Sequence, residues 1–443
     1  MMMSLSGKYF VETYGCQMNE HDSEKMCELM EQLGMESGDS ADNADVVIIN
    51  TCAIREKAEH KVHSSLGKIR AAKLRNPDMV IVVAGCVAQQ QYYELSKKFH
   101  HLDLVLGTHN ISELPELVEK IRKDRQRVIR VDFSENISSL HMPAPRRGPK
   151  PICSYVTIMQ GCSNFCAYCV VPYTRGSEQS RNLREVLEEV SQLCSKGVKE
   201  ITLLGQNVNA YGKDLGNGNR FTELLEELSR IPGLDRIRFT TSHPRDFDAS
   251  VATALGSLDK VCEHVHLPLQ SGSDRILSSM RRGYSFSEYL EKIDILRSEA
   301  PGCSITTDII VGFPGESDDD FKSTLTALEQ IRFDQIFSFK FSPRPGTKAE
   351  HMADQIPEEV KKGRLAEVHT IQDKITQGYH KQLEGSVVEI LLEGHGRQNQ
   401  LYGRTRTNKI VNFDDNGVYP VGAIVHVKIL RGLNHSLFGE IAY

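Results

Sequence analysis

MQGCSNFCAYCVVPYTRG (159–176) puts Cys162, Cys166 and Cys169 in a C-x3-C-x2-C pattern directly behind a β-branched run, YVTIM (155–159). Three thiolates on one short loop can hold three corners of a [4Fe–4S] cluster and leave the fourth iron open to a ligand. Zinc is the competing occupant, but a structural zinc closes with four ligands, and no fourth Cys or His lies near in sequence. The strand before the loop is the first of six. ITLLG (201–205), RIRFTT (236–241), HVHLPL (264–269), SITTDII (304–310) and DQIFSFKF (334–341) follow, with helical stretches between most neighbours. Six strand–helix units predict a β/α barrel, partial or complete, with its chemistry at the carboxyl ends of the strands.

Upstream, over residues 1–122, the runs KYFVET (8–13), VVIIN (46–50) and MVIVVA (79–84) alternate with helical stretches, the βαβα pattern of a parallel sheet. Each run leads into a cysteine: TYGC at Cys16, NTC at Cys52 and AGC at Cys86. The carboxyl ends of parallel strands share one edge, so these distant cysteines are expected to converge on one point. Cysteine is a common buried residue and one may fall after a strand by chance; three of three predict a second cluster with an open iron. Cys27, Cys153, Cys194, Cys262 and Cys303 lack such placement and read as packing residues.

SENISSLHMPAPRRGPKP (134–151) holds four prolines and a glycine within nine residues and reads as a linker. Downstream, PEEVKKGRLAEVHTIQDKITQGYHKQL (357–383) is a long amphipathic stretch, and after Glu384 the runs SVVEILLEG, LYGRTRT, KIVNF, AIVHVKIL and LFGEIA predict a small β-barrel. The organisation is thus an N-terminal α/β domain over 1–133, a central domain over 152–380 and a β-barrel over 381–443. Residues 381–443 carry seven Lys/Arg against six acids, so this tail is +1 and the remainder −7. That asymmetry suits a tail that meets a polyanion, or equally a solvated barrel face.

Composition excludes other classes. With 443 residues, 40% hydrophobic and 25% charged, the chain has no apolar run near the ~18 residues a membrane helix needs. A net charge of −6 excludes a uniformly basic nucleic-acid coat while permitting a local basic patch. The start MMMSLSGKYFVET has no charged n-region before an apolar h-region, so the eleven cysteines are expected reduced, in the cytoplasm.

The cysteine spacing, with Tyr168 just before the third cysteine, resembles the signature of radical S-adenosylmethionine enzymes, in which the open iron chelates the amino and carboxylate groups of the cofactor. The likeness continues through LLGQNVNAYG (203–212), TSHP (241–244), HLPLQSGSDRILSSMRRGY (266–284) and DIIVGFPGES (308–317), strand-end segments that surround the cofactor in that family. It nominates Tyr168, Gln206, Asn207, Ser242, Gln270 and Arg281 as cofactor contacts. A three-cysteine domain, such a barrel and a small β-barrel, in this order, resemble the methylthiotransferases over essentially the whole chain. The resemblance implies an α/β fold class: a Rossmann-like parallel N-terminal domain, a partial (β/α)6 radical S-adenosylmethionine barrel and a C-terminal all-β barrel of the TRAM type, which binds RNA when the substrate is tRNA. NTCAIREKAEHKV (50–62) and CVVPYTRGSEQSR (169–181) are most similar to the branch acting on N6-dimethylallyladenosine in tRNA; Ser177–Glu178 departs from it, where a bulkier or charged residue is expected first.

What that family does explains why two clusters are needed. Placing a methylthio group on carbon 2 of adenine replaces an unactivated C–H bond, chemistry that a cofactor must supply. The resemblance assigns the Cys162/Cys166/Cys169 cluster to generating a 5′-deoxyadenosyl radical, and the Cys16/Cys52/Cys86 cluster to supplying a sulfur that a second S-adenosylmethionine methylates. The target, the adenosine 3′ of the anticodon, is a loop base that can be splayed out. Arg404, Arg406 and Lys409 are the expected RNA phosphate contacts, with Arg175 and Arg181 beside the cysteine loop. Burying a dimethylallyl tail at about 0.8 kcal/mol per CH₂ contributes ~3–4 kcal/mol, so an apolar pocket is expected between the clusters, reached from strand ends before Phe313 and Ser342. FSPRPGTKA (341–349) matches a family segment near the substrate. An external electron donor such as a flavodoxin or ferredoxin, and an iron–sulfur assembly or sulfur donor, are the implied protein partners. Two alternatives stand beside this reading: a methylthiotransferase for a ribosomal-protein aspartate or for threonylcarbamoyladenosine in tRNA, and an iron–sulfur electron-transfer or carrier protein.

Overall fold

The computed structural model describes residues 6–53, 56–134, 151–216, 221–396, 400–414 and 417–442. Most of the expected linker, 135–150, lies outside them. In the N-terminal domain, β1 (Lys8–Tyr14), β2 (Glu36–Ser37), β3 (Val46–Thr51), β4 (Val80–Gly85), β5 (Leu104–Leu106) and β6 (Val128–Arg130) form one sheet in the order β2-β1-β3-β4-β5-β6. Every pairing is parallel. All twelve residues of β3 and β4 are buried, which is why these strands read as continuous apolar runs rather than as alternation. Alternate residues serve two cores: Val46 and Ile48 pack with Met26 and Met30 on one face, and Val47 and Ile49 with Val62 and Leu66 on the other. The sequence reading found β1, β3 and β4 and missed the short strands β2, β5 and β6.

The central domain contains β7 (Cys153–Thr157), β8 (Met159–Gln160), β9 (Gln179–Ser180), β10 (Glu200–Leu204), β11 (Arg236–Phe239), β12 (His264–His266), β13 (Ser304–Val311) and β14 (Gln335–Lys340). β7, β10 and β11 form one parallel sheet and β12, β13 and β14 another, linked by the parallel bridge Ile237–Val261. Among the described residues β7 and β14 do not pair, so the six strands make an open, partial (β/α)6 barrel. Val156, Ile201, Leu203, Ile237, Val265, Ile305 and Ile309 pack outward against the helices. By strand alternation the opposite, inner face carries Tyr155, Thr202, Arg238, His266, Asp308, Phe337 and Phe339. The lumen face is mostly polar; its apolar members include Leu204, Ile310, Phe337 and Phe339, the two phenylalanines being 44% and 41% exposed on the edge strand β14.

A helix, Glu358–Gln382, leads to the last domain. There β15 (Val387–His395), β16 (Gln400–Thr405), β17 (Ile410–Asp414), β18 (Ile424–Gly432) and β19 (Leu437–Ile441) close into a barrel in the order β15-β16-β17-β19-β18, around Ile390, Leu392, Val411, Phe413 and Val427. This barrel docks under the central one, at the amino ends of its strands. Arg236 bonds Glu389 at 2.7 Å and the carbonyl of Arg404 at 2.7 Å. Arg238 reaches the carbonyls of Thr405 and Arg406 at 2.8 and 2.9 Å. In return Arg406 grips Glu263 at 2.6 Å and Lys409 meets Asp334 at 2.5 Å.

Candidate functional site

Strand register brings the N-terminal cysteines together. Tyr14 pairs with Thr51 and Thr51 with Gly85, so Gly15, Cys52 and Cys86 stand level just beyond the sheet, with Cys16 one residue further. The Cys52 amide donates to the Tyr14 carbonyl at 2.9 Å. Cys16 caps the helix Gln17–Gln32 and Cys86 opens the helix Cys86–Lys98, so two positive helix ends face the site. A hydrogen bond with the Cys52 thiol and the nearby Arg175 guanidinium bring the Cys16 thiol down to about 6 against its burial. Asn50 steadies the loops, donating to the Asn19 carbonyl at 2.8 Å and to Ser23 Oγ at 2.9 Å. Gly85 has φ +88°, and a Cβ there would lie 2.3 Å from Asn50 Oδ1, which explains the glycine before this cysteine.

The second trio is built differently. Gly161, at φ +83°, passes so close to Ser177 that a Cβ would fall 1.9 Å from its carbonyl oxygen. The antiparallel pair β8–β9, which the sequence reading missed, clasps the base of the loop. The Cys162 amide donates to the Gly176 carbonyl at 3.1 Å, that of Cys169 to the Cys166 carbonyl at 3.0 Å, and that of Ala167 to the Met280 carbonyl at 2.9 Å. Burial, reinforced by the neighbouring thiols, pushes Cys162 up to about 11 and Cys169 up to about 12. These thiols ionise only when a metal replaces the proton.

That contrast makes a prediction for the metal-free protein. Near pH 7.5 Cys16 is mostly thiolate and Cys162 almost wholly thiol, about a 3,000-fold difference in reactive fraction. The lower intrinsic nucleophilicity of a low-pKa thiolate returns about two decades of it. Iodoacetamide should therefore modify Cys16 about tenfold faster than Cys162 at that pH, as peptide mass spectrometry would show, and the order should invert at alkaline pH as Cys162 ionises.

The spacing of the sulfurs does not suit a single zinc ion. Sulfurs around one zinc stand about 3.8 Å apart, given a Zn–S distance of about 2.3 Å. In neither trio do the three sulfurs all lie within 4.8 Å of one another; among the described residues the group that does is Cys153, Glu200 and Glu393. That group sits among Arg236, Arg238 and Arg404, a poor surrounding for a cation.

Beside the loop trio the structure sorts the nominated contacts. Gln206 accepts from the Gly161 amide at 2.6 Å and so shapes the loop itself. Asn207 bonds Asp246 at 2.7 Å and accepts from the His243 amide at 3.2 Å, a structural tie. Ser242 and Gln270, in the loops that follow β11 and β12, carry buried polar atoms, Ser242 Oγ and Gln270 Oε1, that have no hydrogen-bond partner. Gln270 also sits at φ +75° while its backbone pairs with Asp308 and Ile310, strain typical of a functional position. Arg281 is exposed. Its neighbour Arg282 faces inward instead, donating to Cys166 Sγ at 3.3 Å, Tyr168 Oη at 3.4 Å and the Pro268 carbonyl at 2.8 Å. The alternation of a two-arginine run cannot be read from sequence, so the neighbour was missed. His243 was also missed: burial and then the Arg282 charge push it down to about 2, and its neutral ring presents an unpartnered Nε2. Three unpartnered polar atoms close to a thiol loop form a cradle for a polar cofactor.

The two trios sit in domains that pack directly against each other. Val170, the residue after Cys169, packs in the N-terminal core with Cys86, Val87 and Ala88. Thr108 and His109 bond the carbonyls of Thr174 and Arg175 at 2.6 and 2.9 Å. Arg175 and Arg181, expected as phosphate contacts, are buried instead, paired with Asp22 at 2.6 Å and Glu189 at 2.5 Å. The loop after β14 completes the bridge: Gln90 donates to the Pro345 carbonyl at 2.8 Å. Phe313 is buried, packed with Ala167, Met280 and Phe341 next to the cysteine loop. Arg406 and Lys409 are committed to the central domain by the ion pairs described above, whereas the Arg404 side chain, 39% exposed, meets Glu393 of its own barrel at 3.6 Å.

Residues 8–107 match the family described as "Uncharacterized protein family UPF0004", 156–328 the radical SAM superfamily and 381–442 the TRAM domain. The tRNA-2-methylthio-N(6)-dimethylallyladenosine synthase of Natranaerobius thermophilus is 46% identical over 438 residues, spanning 98% of this chain and 96% of its own. The protein of the same name from Carboxydothermus hydrogenoformans is 46% identical over 437 residues, spanning 98% and 99%. Among solved structures, the radical S-adenosylmethionine methyltransferase TsrM of Kitasatospora setae, with cobalamin and a [4Fe–4S] cluster bound, superposes at a TM-score of 0.59 with 16% identity, over 78% of this chain and 77% of that one. That likeness is one of fold.

Proposed function

The chain belongs to the tRNA-2-methylthio-N(6)-dimethylallyladenosine synthases, radical S-adenosylmethionine enzymes that methylthiolate tRNA, and we propose that it does so with two [4Fe–4S] clusters, one on Cys162, Cys166 and Cys169 and one on Cys16, Cys52 and Cys86. The observation that carries this reading is the convergence of two cysteine trios, each at the carboxyl edge of a parallel sheet, in domains locked together by the segment Val170–Arg175. When bound, the barrel cluster with S-adenosylmethionine supplies the radical that opens the C–H bond, and the N-terminal cluster supplies the sulfur.

The chain's own residues do the rest. Ser242, His243 and Gln270 offer the cofactor three buried polar atoms. Arg282 sets a fixed positive charge against Cys166, which offsets the charge of a thiolate-ligated cluster. Phe337 and Phe339 give the splayed base and its dimethylallyl tail an apolar surface on the lumen face, near His266, whose ring is 5.7 Å from Phe337. A one-electron donor of the flavodoxin or ferredoxin kind and a sulfur source complete the reaction, in the cytoplasm.

The reading is tested by incubating holoenzyme, reductant, sulfide and S-adenosylmethionine with tRNA bearing or lacking the dimethylallyl group. Nucleoside mass spectrometry should show the prenylated tRNA converted a few hundred times more efficiently, the equivalent of ~3–4 kcal/mol of buried alkyl group. Equal turnover of both would overturn the substrate assignment.

The face of the small barrel turned away from the central domain is the proposed RNA contact. Lys428 and Arg431 project from β18 on an exposed face, with Arg431 stacked 5.2 Å over Phe438. K428E/R431E should weaken tRNA binding and flatten the log–log salt dependence by about 1.4–1.8, at about 0.7–0.9 per phosphate contact. R406A/K409A should instead loosen the barrel, seen as faster proteolysis between residues 381 and 386.

A further inference from the structure

Arg175 is the third cationic element at the N-terminal cysteine site, and it arrives from the other domain. Its Nη2 pairs with Asp22 at 2.6 Å, and its carbonyl is fixed by His109. The guanidinium is 3% exposed and lies within electrostatic reach of Cys16 and Cys86. Its other terminal nitrogen, Nη1, is buried with no hydrogen-bond partner. A buried charged donor left unpaired costs more than a hydrogen bond returns, and one carboxylate uses only part of a five-donor fork. Two helix ends at the same place, headed by Cys16 and Cys86, add to the positive field.

We propose that Arg175 binds the anionic sulfur that occupies the open position of this site, with Nη1 as hydrogen-bond donor and Asp22 as the strut that orients the fork. This rests on the reading that Cys16, Cys52 and Cys86 hold a cluster. The ligand is a small sulfur anion, hydrosulfide or methanethiolate, and Arg175 is a positioning residue for it. Because the donor is carried by the cysteine loop's own polypeptide, the site is complete only when the two domains are docked.

The test uses the full chain in a C162A/C166A/C169A background, so that iron resides at the N-terminal site alone. Sodium sulfide and, separately, methanethiol are titrated into the reduced protein and followed by the cluster's electron paramagnetic resonance signal. R175M should weaken the sulfur ligand by about ten- to a hundredfold, the worth of a charge-assisted hydrogen bond, while D22N, which leaves the donor in place, weakens it by less than about threefold. Unchanged affinity in R175M, or equal losses in R175M and D22N, would overturn the proposal by making Arg175 inert or merely a strut. Should R175M fail to hold iron, R175Q, which removes the charge, takes its place with the same threefold criterion. Response to only one of the two probes identifies which anion is bound and supports the proposal. Absence of iron from the parent triple-alanine protein would overturn the cluster reading itself, a distinct result.

Discussion

Alanine at Cys162, Cys166 and Cys169 abolishes reductive cleavage of S-adenosylmethionine while leaving about one cluster per chain. The three thiols stand on one loop whose backbone bonds run to Gly176 and Met280 rather than to side chains of the trio, so the loop persists when they go. No described cysteine outside the trio is placed to substitute: Cys262 and Cys303 are held near the amino ends of the strands, where burial raises both thiols. The expected loss of 5′-deoxyadenosine exceeds a thousandfold, because the step has no side-chain route. Iron and sulfide assays alongside product chromatography check both halves, and substantial 5′-deoxyadenosine from the triple variant would remove the loop from the mechanism.

Alanine at Cys16, Cys52 and Cys86 gives the complementary result. S-adenosylmethionine cleavage continues within about an order of magnitude, one cluster remains, and methylthio product vanishes. Cys52 and Cys86 are 1% and 5% exposed, so their truncation opens small cavities worth about 1–2 kcal/mol each, which a domain with two apolar cores can absorb. Mass spectrometry of tRNA nucleosides and a cleavage assay on one preparation decide it. Loss of cleavage in a protein that still unfolds cooperatively would mean the two centres are not separable.

Much of this was legible in the sequence for definite reasons. Cysteines after β1, β3 and β4 could be placed on one edge because parallel strands share direction, and TYGC, AGC and QGC mark turns where a Cβ does not fit. Short strands such as β5 and β6 carry too few residues to show a period. Burial of charge was the larger miss. Arg175 and Arg181 sit in a polar run, PYTRGSEQSR, that reads as surface, and their partners Asp22 and Glu189 lie in other elements. Arg406 and Lys409 were likewise indistinguishable from phosphate contacts, since a lysine or arginine beside a strand carries no sign of which polyanion or carboxylate it will meet. The same blindness hid Arg282 behind Arg281.

The packing of Val170 among Cys86, Val87 and Ala88 means that the cooperative boundary of the molecule does not coincide with its covalent one. A cut in the region 135–150 would leave two polypeptides still joined through the contacts of the catalytic loop. In hydrogen-exchange terms, residues 170–176 should open with the N-terminal sheet rather than with the barrel that bears them. Heat or denaturant sufficient to open that sheet should then release iron from the barrel site too, and the enzyme would fail all at once instead of decaying into a half-active radical generator.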